Sequence, residues 1–375
     1  MGALDGLLVA DFTRVLAGPY ATMLLADLGA TVVKVERPGT GDDTRAWGPP
    51  FGQDGQATYY QSVNRNKLSI ALDLADPDDL RIACELADAA DILVENHKPG
   101  GLRRFGLDYE SVAGRNPGVV YCSITGFGSG AGKDMPGYDL LVQAMGGLMS
   151  ITGQGEPTKA GVAVVDVLTG LHATVGMLAA LRHRETTGAG QRLEVSLLGS
   201  LLSSLVNQAS GYVGAGAVPG LMGNAHPSIA PYEVFTTADR PMILAVGNDA
   251  QFARLARALG APDLAGRKEY VTNTARVAHR AELKAELEVL LNVRGADEWQ
   301  RLLTESGVPC GPINDLAQGF TLAERLGLQP VVEVEGLAQV ANPVHYDATP
   351  ASYRAAPPHI DEDRAAVLDL LRARS

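Results

Sequence analysis

At 375 residues the chain has the length of two domains, or of one large core with a second one inserted, so a single small module is not expected. Apolar residues make up 46% and charged residues 20%, a balance that buries a large core and lies well away from disorder. The net charge of −12 repels polyanions, which counts against nucleic acid or an anionic membrane as partner and means that an anionic ligand needs a local basic pocket. Cys84, Cys122 and Cys310 are far apart, with no second Cys or His at metal-ligand spacing, so neither a disulfide framework nor a zinc site is expected. The stretch Met1–Asp11 has no basic region before its apolar residues and carries acids, unlike a signal peptide. No uninterrupted apolar run approaches the ~20 residues of a membrane span, and a cytoplasmic protein is expected.

Leu7–Ala10 is a short apolar run ending in Asp11, and Gly18-Pro19 opens a helical pattern (Tyr20, Met23, Leu24, Leu28) that Gly29 closes. The β-branched run Thr31–Glu36 follows, and this strand, helix, strand order implies a parallel sheet. The pattern recurs with a helix over 78–90, a buried strand over 92–94 and a strand over 119–124 running into the glycine-rich turn 125–130. An open α/β sheet is predicted, with ligand at the carboxyl ends of its strands. From Val162 to about Val206 the pattern is helical, broken at 186–191, which leaves two helices or a helix and a strand open. Residues 211–220 have the turn composition of a linker. Beyond them, strands over 232–236 and 242–246 and helices over 250–259, 281–291 and 297–305 make a smaller α+β unit. The tail 361–372 is an amphipathic helix able to pack back on the first domain.

Glu36 lies at about the spacing of an acid that binds a dinucleotide ribose, but the first turn, Asp11 to Pro19, holds one glycine where three are needed. Arg14, Arg37, Arg65, Lys67, Arg103 and Arg104 fall in loops at strand ends, where cations hold phosphates through charge-assisted hydrogen bonds or are plain surface charge. Asp166 sits among apolar neighbours, and a buried carboxylate is paired, caps a helix or takes part in chemistry. Helix N-cap and working acid both stay open for it, and they are compatible. Asp139 reads as a turn or cap residue, His97 and His172 as structural, and His226 as lining a cleft or closing a polar turn. No Gly-x-Ser-x-Gly elbow, phosphate-binding loop or His-Glu-x-x-His metal site is present.

Taken in order, the segments 4–19, 28–39 with Gly41-Asp42, 64–69, 91–96, Pro99-Gly100 through Gly106, Gly137-Tyr-Asp139, 161–166, 187–191 and 223–227 resemble the class III CoA-transferases, a family that also contains α-methylacyl-CoA racemase. The resemblance implies a large Rossmann-like domain with an open parallel sheet built from both ends of the chain (1–205 and 325–375), a linker at 206–224 and a smaller α+β domain at 225–324. It further implies an interlocked homodimer and a coenzyme A thioester as substrate, with no metal. Asp166 falls on the catalytic aspartate. Leu16, Ala17, Arg37, Lys67, Asn96, Arg104, Phe105, Tyr138 and Asp139 fall on the CoA site, the cations near its phosphates and Phe105 near the adenine. Gly223, Asn224 and His226 match the loop over the active site.

The activity so implied moves CoA from an acyl-CoA donor to a carboxylic acid through an aspartyl mixed anhydride and an aspartyl-CoA thioester. Formyl-CoA transferases carry a run of glycines where this chain has Gly223-Asn-Ala-His-Pro227, which argues against formate or oxalate and leaves a larger dicarboxylate open. Racemisation of a 2-methylacyl-CoA and non-catalytic acyl-CoA binding are the competing readings. Against the first, Tyr138 stands where the racemase branch has a His base. Against the second stands an intact Asp166.

Overall fold

The computed structural model describes residues 2–374, which divide into two compact units. The first holds the chain up to Leu148, Ala160–Val218 and everything from Gln329 onward. In chain order its elements begin with β1 (Leu8–Phe12), α1 (Ala17–Asp27), β2 (Thr31–Glu36), the short α2 (Thr58–Gln61), β3 (Lys67–Ala71), α3 (Pro77–Ala89) and β4 (Ile92–Glu95). They continue with α4 (Tyr109–Arg115), β5 (Val120–Thr125), α5 (Asp139–Met145), the single turn α6 (Leu148–Ile151), of which only Leu148 belongs to this unit, α7 (Val164–Thr187), β6 (Gln191–Ser196), α8 (Leu197–Ser204) and α9 (Val206–Ala215).

The six strands form one parallel sheet in the order β3-β2-β1-β4-β5-β6. Its order reverses between β1 and β4, the point at which open α/β sheets bind ligands. Helices cover both faces, so alternate residues of one strand enter different cores. Leu8, Ala10 and Phe12 pack with Ile70, Leu86 and Leu93, while Val9 packs with Leu25, Val94, Cys122 and Met177. The helix α7 is long and apolar enough to cross a membrane by length and composition, and here it packs against α1, β5, β6 and α8. Gly170 makes the α1 approach close: a Cβ there would meet the Ala17 carbonyl at 2.7 Å.

The second unit comprises 149–159 and Pro219–Leu328. The strands β7 (Tyr232–Phe235), β8 (Met242–Ala245) and β9 (Cys310–Pro312) make an antiparallel sheet. With α10 (Asp249–Ala258), α11 (Asn273–Ala278), α12 (Arg280–Leu291), α13 (Ala296–Glu305) and α14 (Leu316–Arg325) the unit builds its own core around Phe235, Leu244, Phe252, Leu287 and Trp299. After it the chain returns to the first unit through the hairpin β10 (Val331–Val334) and β11 (Leu337–Val340) and the helix α15 (Arg364–Arg374). Val367 and Leu371 of α15 are buried in the same core as Leu86, as the amphipathic tail predicts.

Two details differ from the sequence reading. Residues 206–215 of the expected linker are helical, as α9. The segment 149–159 belongs to the second unit, whose end lies at Leu328 rather than 324. Between α7 and α8, where the sequence leaves two helices or a helix and a strand open, the chain makes an edge strand, β6, paired with β5 from Val120↔Gln191 to Thr125↔Ser196.

Candidate active site

The turn after β1 is fixed from several sides. Both oxygens of Asp42 face the Val15 N–H, at 3.2 and 3.3 Å, and Val15 has φ 71°, the left-handed region that a β-branched residue rarely adopts. Asp42 is itself held by Lys34 at 2.9 Å, with both side chains wholly buried, and Lys34 also donates to the Thr13 carbonyl at 3.0 Å. Asn96, just past β4, brackets Arg14: its Oδ1 accepts the Arg14 N–H at 3.0 Å and its Nδ2 donates to the Arg14 carbonyl at 2.7 Å. Gly18 lets α1 begin hard against this turn, because a Cβ there would lie 2.4 Å from the Thr13 side chain. Leu16 and Ala17 are thereby presented to a cavity of about 390 Å³.

Asp166 lines the same cavity from the first turn of α7. Its backbone N–H and that of Val165 both donate to Oδ1 of Asp139, at 3.2 and 2.8 Å, so Asp139 caps α7 from the start of α5. Burial first, and the Asp139 charge second, push the Asp166 carboxyl up to about 7. The Tyr59 ring packs in a small cluster with Leu16, Met23, Val63, Ala163 and Val167. Its phenol is pushed up to about 12 by burial and then by Asp166, Asp139 and Asp42, so it keeps its proton near pH 7.

A second cavity of about 460 Å³ lies along the ends of β1, β2 and β3, lined by Arg37, Arg104 and Phe105. Arg14, His97 and Lys98 line both cavities. The Arg14 Nε is buried with no protein partner among the described residues. Burial and then Arg14 push the His97 imidazole down to about 4, so it is neutral near pH 7.

Most of the expected residues come together here. Leu16, Ala17, Asn96, Tyr138, Asp139 and Asp166 line the first cavity, Arg37, Arg104 and Phe105 the second. Arg37 is ion-paired with Asp43, and the Arg104 guanidinium lies 4.4 Å from the Phe105 ring centroid. Lys67 is the exception: its side chain is 0% exposed and lines neither cavity, because Asp11, the Pro19 carbonyl and Asn64 take its three donors at 3.1, 2.9 and 3.0 Å. Arg65 is likewise committed, bidentate to Asp27. Glu36 is buried against Arg45 and Ser69, so no ribose acid stands free there. Gly223, Asn224 and His226 belong to the second unit, where the Gly223 N–H donates to Gly153 and His226 packs edge-on to Tyr232. Sequence reading gave Asp42 no role in the site, since its hold on the Val15 N–H exists only in the tertiary fold.

This arrangement offers a carboxylate with a near-neutral pKa at the sheet's switch point, beside a long, partly cationic groove. The family model described as CoA-transferase family III matches residues 4–364. The chain belongs to this CoA-transferase family. It is 43% identical over 378 residues to the succinate–glutarate CoA-transferase of Agrobacterium fabrum, covering 97% of this chain and 94% of that one. It is 39% identical to the acetyl-CoA:oxalate CoA-transferase of Acetobacter aceti, covering 98% and 95%. A crystal structure of a CAIB/BAIF family protein from Brucella suis superposes with a TM-score of 0.90 at 41% identity, covering 99% of both chains. The family III CoA-transferase is thus an enzyme acting on CoA thioesters, as the sequence resemblance implies. Among the described residues no cluster of three His, Cys, Asp or Glu side chains is placed to hold a metal.

Proposed function

We propose that this CoA-transferase moves CoA between short dicarboxylic acids, with succinyl-CoA as donor and glutarate as acceptor, through covalent catalysis by Asp166. The observation that carries the mechanism is the Asp166 carboxylate, half-buried in the first cavity with its pKa raised to about 7. The substrate class is supported by the names of relatives in Agrobacterium fabrum and mouse, at 43% and 45% identity. CoA lies along the second cavity with its phosphates near Arg37 and Arg104 and its adenine against Phe105. Its pantetheine arm passes Arg14 and His97 to place the thioester at Asp166.

The Asp166 oxygen attacks the thioester carbonyl, and the C–S bond breaks to give a mixed anhydride and CoA thiolate. The thiolate attacks the aspartyl carbonyl, releasing the donor acid as carboxylate and leaving an aspartyl-CoA thioester. The acceptor carboxylate then attacks that thioester, forming a new anhydride and expelling thiolate. Attack of the thiolate on the acceptor's carbonyl yields the new acyl-CoA and restores Asp166. Each step trades one activated acyl bond for another.

The test is exchange between succinyl-CoA and glutarate followed by mass spectrometry, with hydroxylamine added to trap activated Asp166. Formation of glutaryl-CoA and a hydroxamate at Asp166 is expected. Transfer to other carboxylates but not glutarate would overturn the substrate class, and turnover without modification at Asp166 would overturn the covalent route.

We also propose that the protein works as an interlocked homodimer. Val175, Val206, Val213 and Val218 of the first unit are 66–82% exposed, an apolar surface that a lone subunit leaves in water. Sedimentation at nanomolar concentration should give a dimer, because separating linked chains requires partial unfolding. A monomer at micromolar concentration would contradict it.

A further inference from the structure

We infer that Asp139 is the positioning residue for the nucleophile: it occupies the amide donors of the first turn of α7 and leaves the Asp166 carboxylate bare towards the cavity. The inference rests on the reading of Asp166 as nucleophile. One Asp139 oxygen accepts the N–H groups of Val165 and Asp166, at 2.8 and 3.2 Å. The other accepts Nε2 of Gln143 at 2.6 Å, one turn further along α5. Gln143 is 1% exposed, and its own carbonyl oxygen accepts the Ala160 N–H at 2.9 Å. One carboxylate and one carboxamide on α5 therefore grip the chain on both sides of the 161–164 turn that leads into Asp166.

The chemistry of this grip follows from what a helix start does to an acid. Free N–H groups in a first turn attract a carboxylate, and a carboxylate that accepts them becomes a weaker base and a weaker nucleophile. Asp139 takes those donors, and among the described residues none is bonded to the Asp166 carboxylate. It also sets a second negative charge beside Asp166, an effect that adds to burial in raising the carboxyl. Tyr59 from α2 feels the same two charges. Around the cavity stand the ion pairs Arg14–Asp43 and Lys98–Asp134, with His97, Lys133 and Tyr138. Asp139 thus acts through Asp166 and needs no contact with substrate.

The experiment measures the rate of hydroxylamine trapping at Asp166 in a single turnover with succinyl-CoA, across pH, for wild type, Asp139→Asn and Asp139→Ala. The Asn variant keeps an oxygen for the two amides but loses the charge and, because its Nδ2 cannot accept from Nε2 of Gln143, that bond as well. Its acid limb should move down by about one pH unit while KM for succinyl-CoA changes less than about twofold. The Ala variant frees the amides for Asp166 and should slow trapping by about tenfold or more, with the Asn variant slowed less. If the Ala variant does not fold, the Asn variant alone decides. Trapping in wild type together with an unmoved acid limb in the Asn variant would overturn the positioning role and leave the nucleophile standing. Absence of trapping at Asp166 in wild type would overturn both.

Discussion

Asp166→Ala is expected to lower CoA transfer by about a thousandfold or more while leaving CoA binding in place, the size of effect seen when a covalent nucleophile is deleted. Its neighbour Asp139 cannot take over, since it is spent on the α7 amides and on Gln143. Wild-type transfer should rise with pH through about 7, because the attacking form is the anion and the folded carboxyl sits at about 7 instead of 3.8. The same raised value makes Asp166 a cost to the fold. Below 3.8 both folded and unfolded chains hold the proton and the residue is neutral to stability. Between 3.8 and about 7 the unfolded chain ionises first, so stability falls as pH rises and then levels off. Asp166→Asn should therefore be more stable than wild type at pH 8, on the order of 1 kcal/mol given the carboxylate's partial contact with the cavity, and equal to it near pH 3.5. Calorimetric unfolding at the two pH values reads the difference. Full turnover by the Ala variant would end the covalent mechanism, and an Asn variant less stable than wild type at pH 8 would show that burial costs the carboxylate nothing.

What the sequence made legible follows the range of the interactions involved. The strands β1, β2, β4 and β5 and the helices α1 and α3 announce themselves by apolar runs and by Pro19 and Gly29 at helix ends, all local signals. Asp166 could be singled out because an acid inside Gly161-Val-Ala-Val-Val-Asp-Val-Leu168 has few places to go. Its cap could not be, since Asp139 lies 27 residues earlier and meets it only when α5 and α7 converge. The edge strand β6 has half-exposed side chains and so lacks the buried run of its neighbours. The helix α9 hides behind Gly211 and Gly214, and its apolar Val206, Tyr212 and Val213 are exposed, so its sequence reads as a linker. Family resemblance supplied the residues of the groove, but matching positions do not report burial. Arg104 and Lys67 look alike as cations at strand ends, and the fold sends one to the groove and the other into the core.

That contrast yields the second large effect. Lys67→Met should destabilise the protein by about 3–5 kcal/mol, because it strands a buried carboxylate. Asp11 is 0% exposed; burial pushes its carboxyl up, yet Lys67, Lys34 and the hydroxyls of Thr13 and Thr22 outweigh this and hold it at about 2. Without Lys67 that anion keeps Lys34 only as a more remote charge, and the Pro19 carbonyl and Asn64 lose their donor as well. Adding Asp11→Leu to Lys67→Met removes the stranded charge and should restore part of the stability, since apolar replacement of a buried pair costs far less than breaking it. Arg104→Ala is the matched control. It removes a groove-lining cation with no ion pair among the described residues, so denaturant midpoints should hardly move while calorimetry shows CoA binding weakened by up to about 1.5–3 kcal/mol, less where solvent screens the phosphates. If Lys67→Met instead kept wild-type stability and lost CoA affinity as Arg104→Ala does, Lys67 would be a phosphate ligand after all, and the buried pairing with Asp11 would not describe the working enzyme.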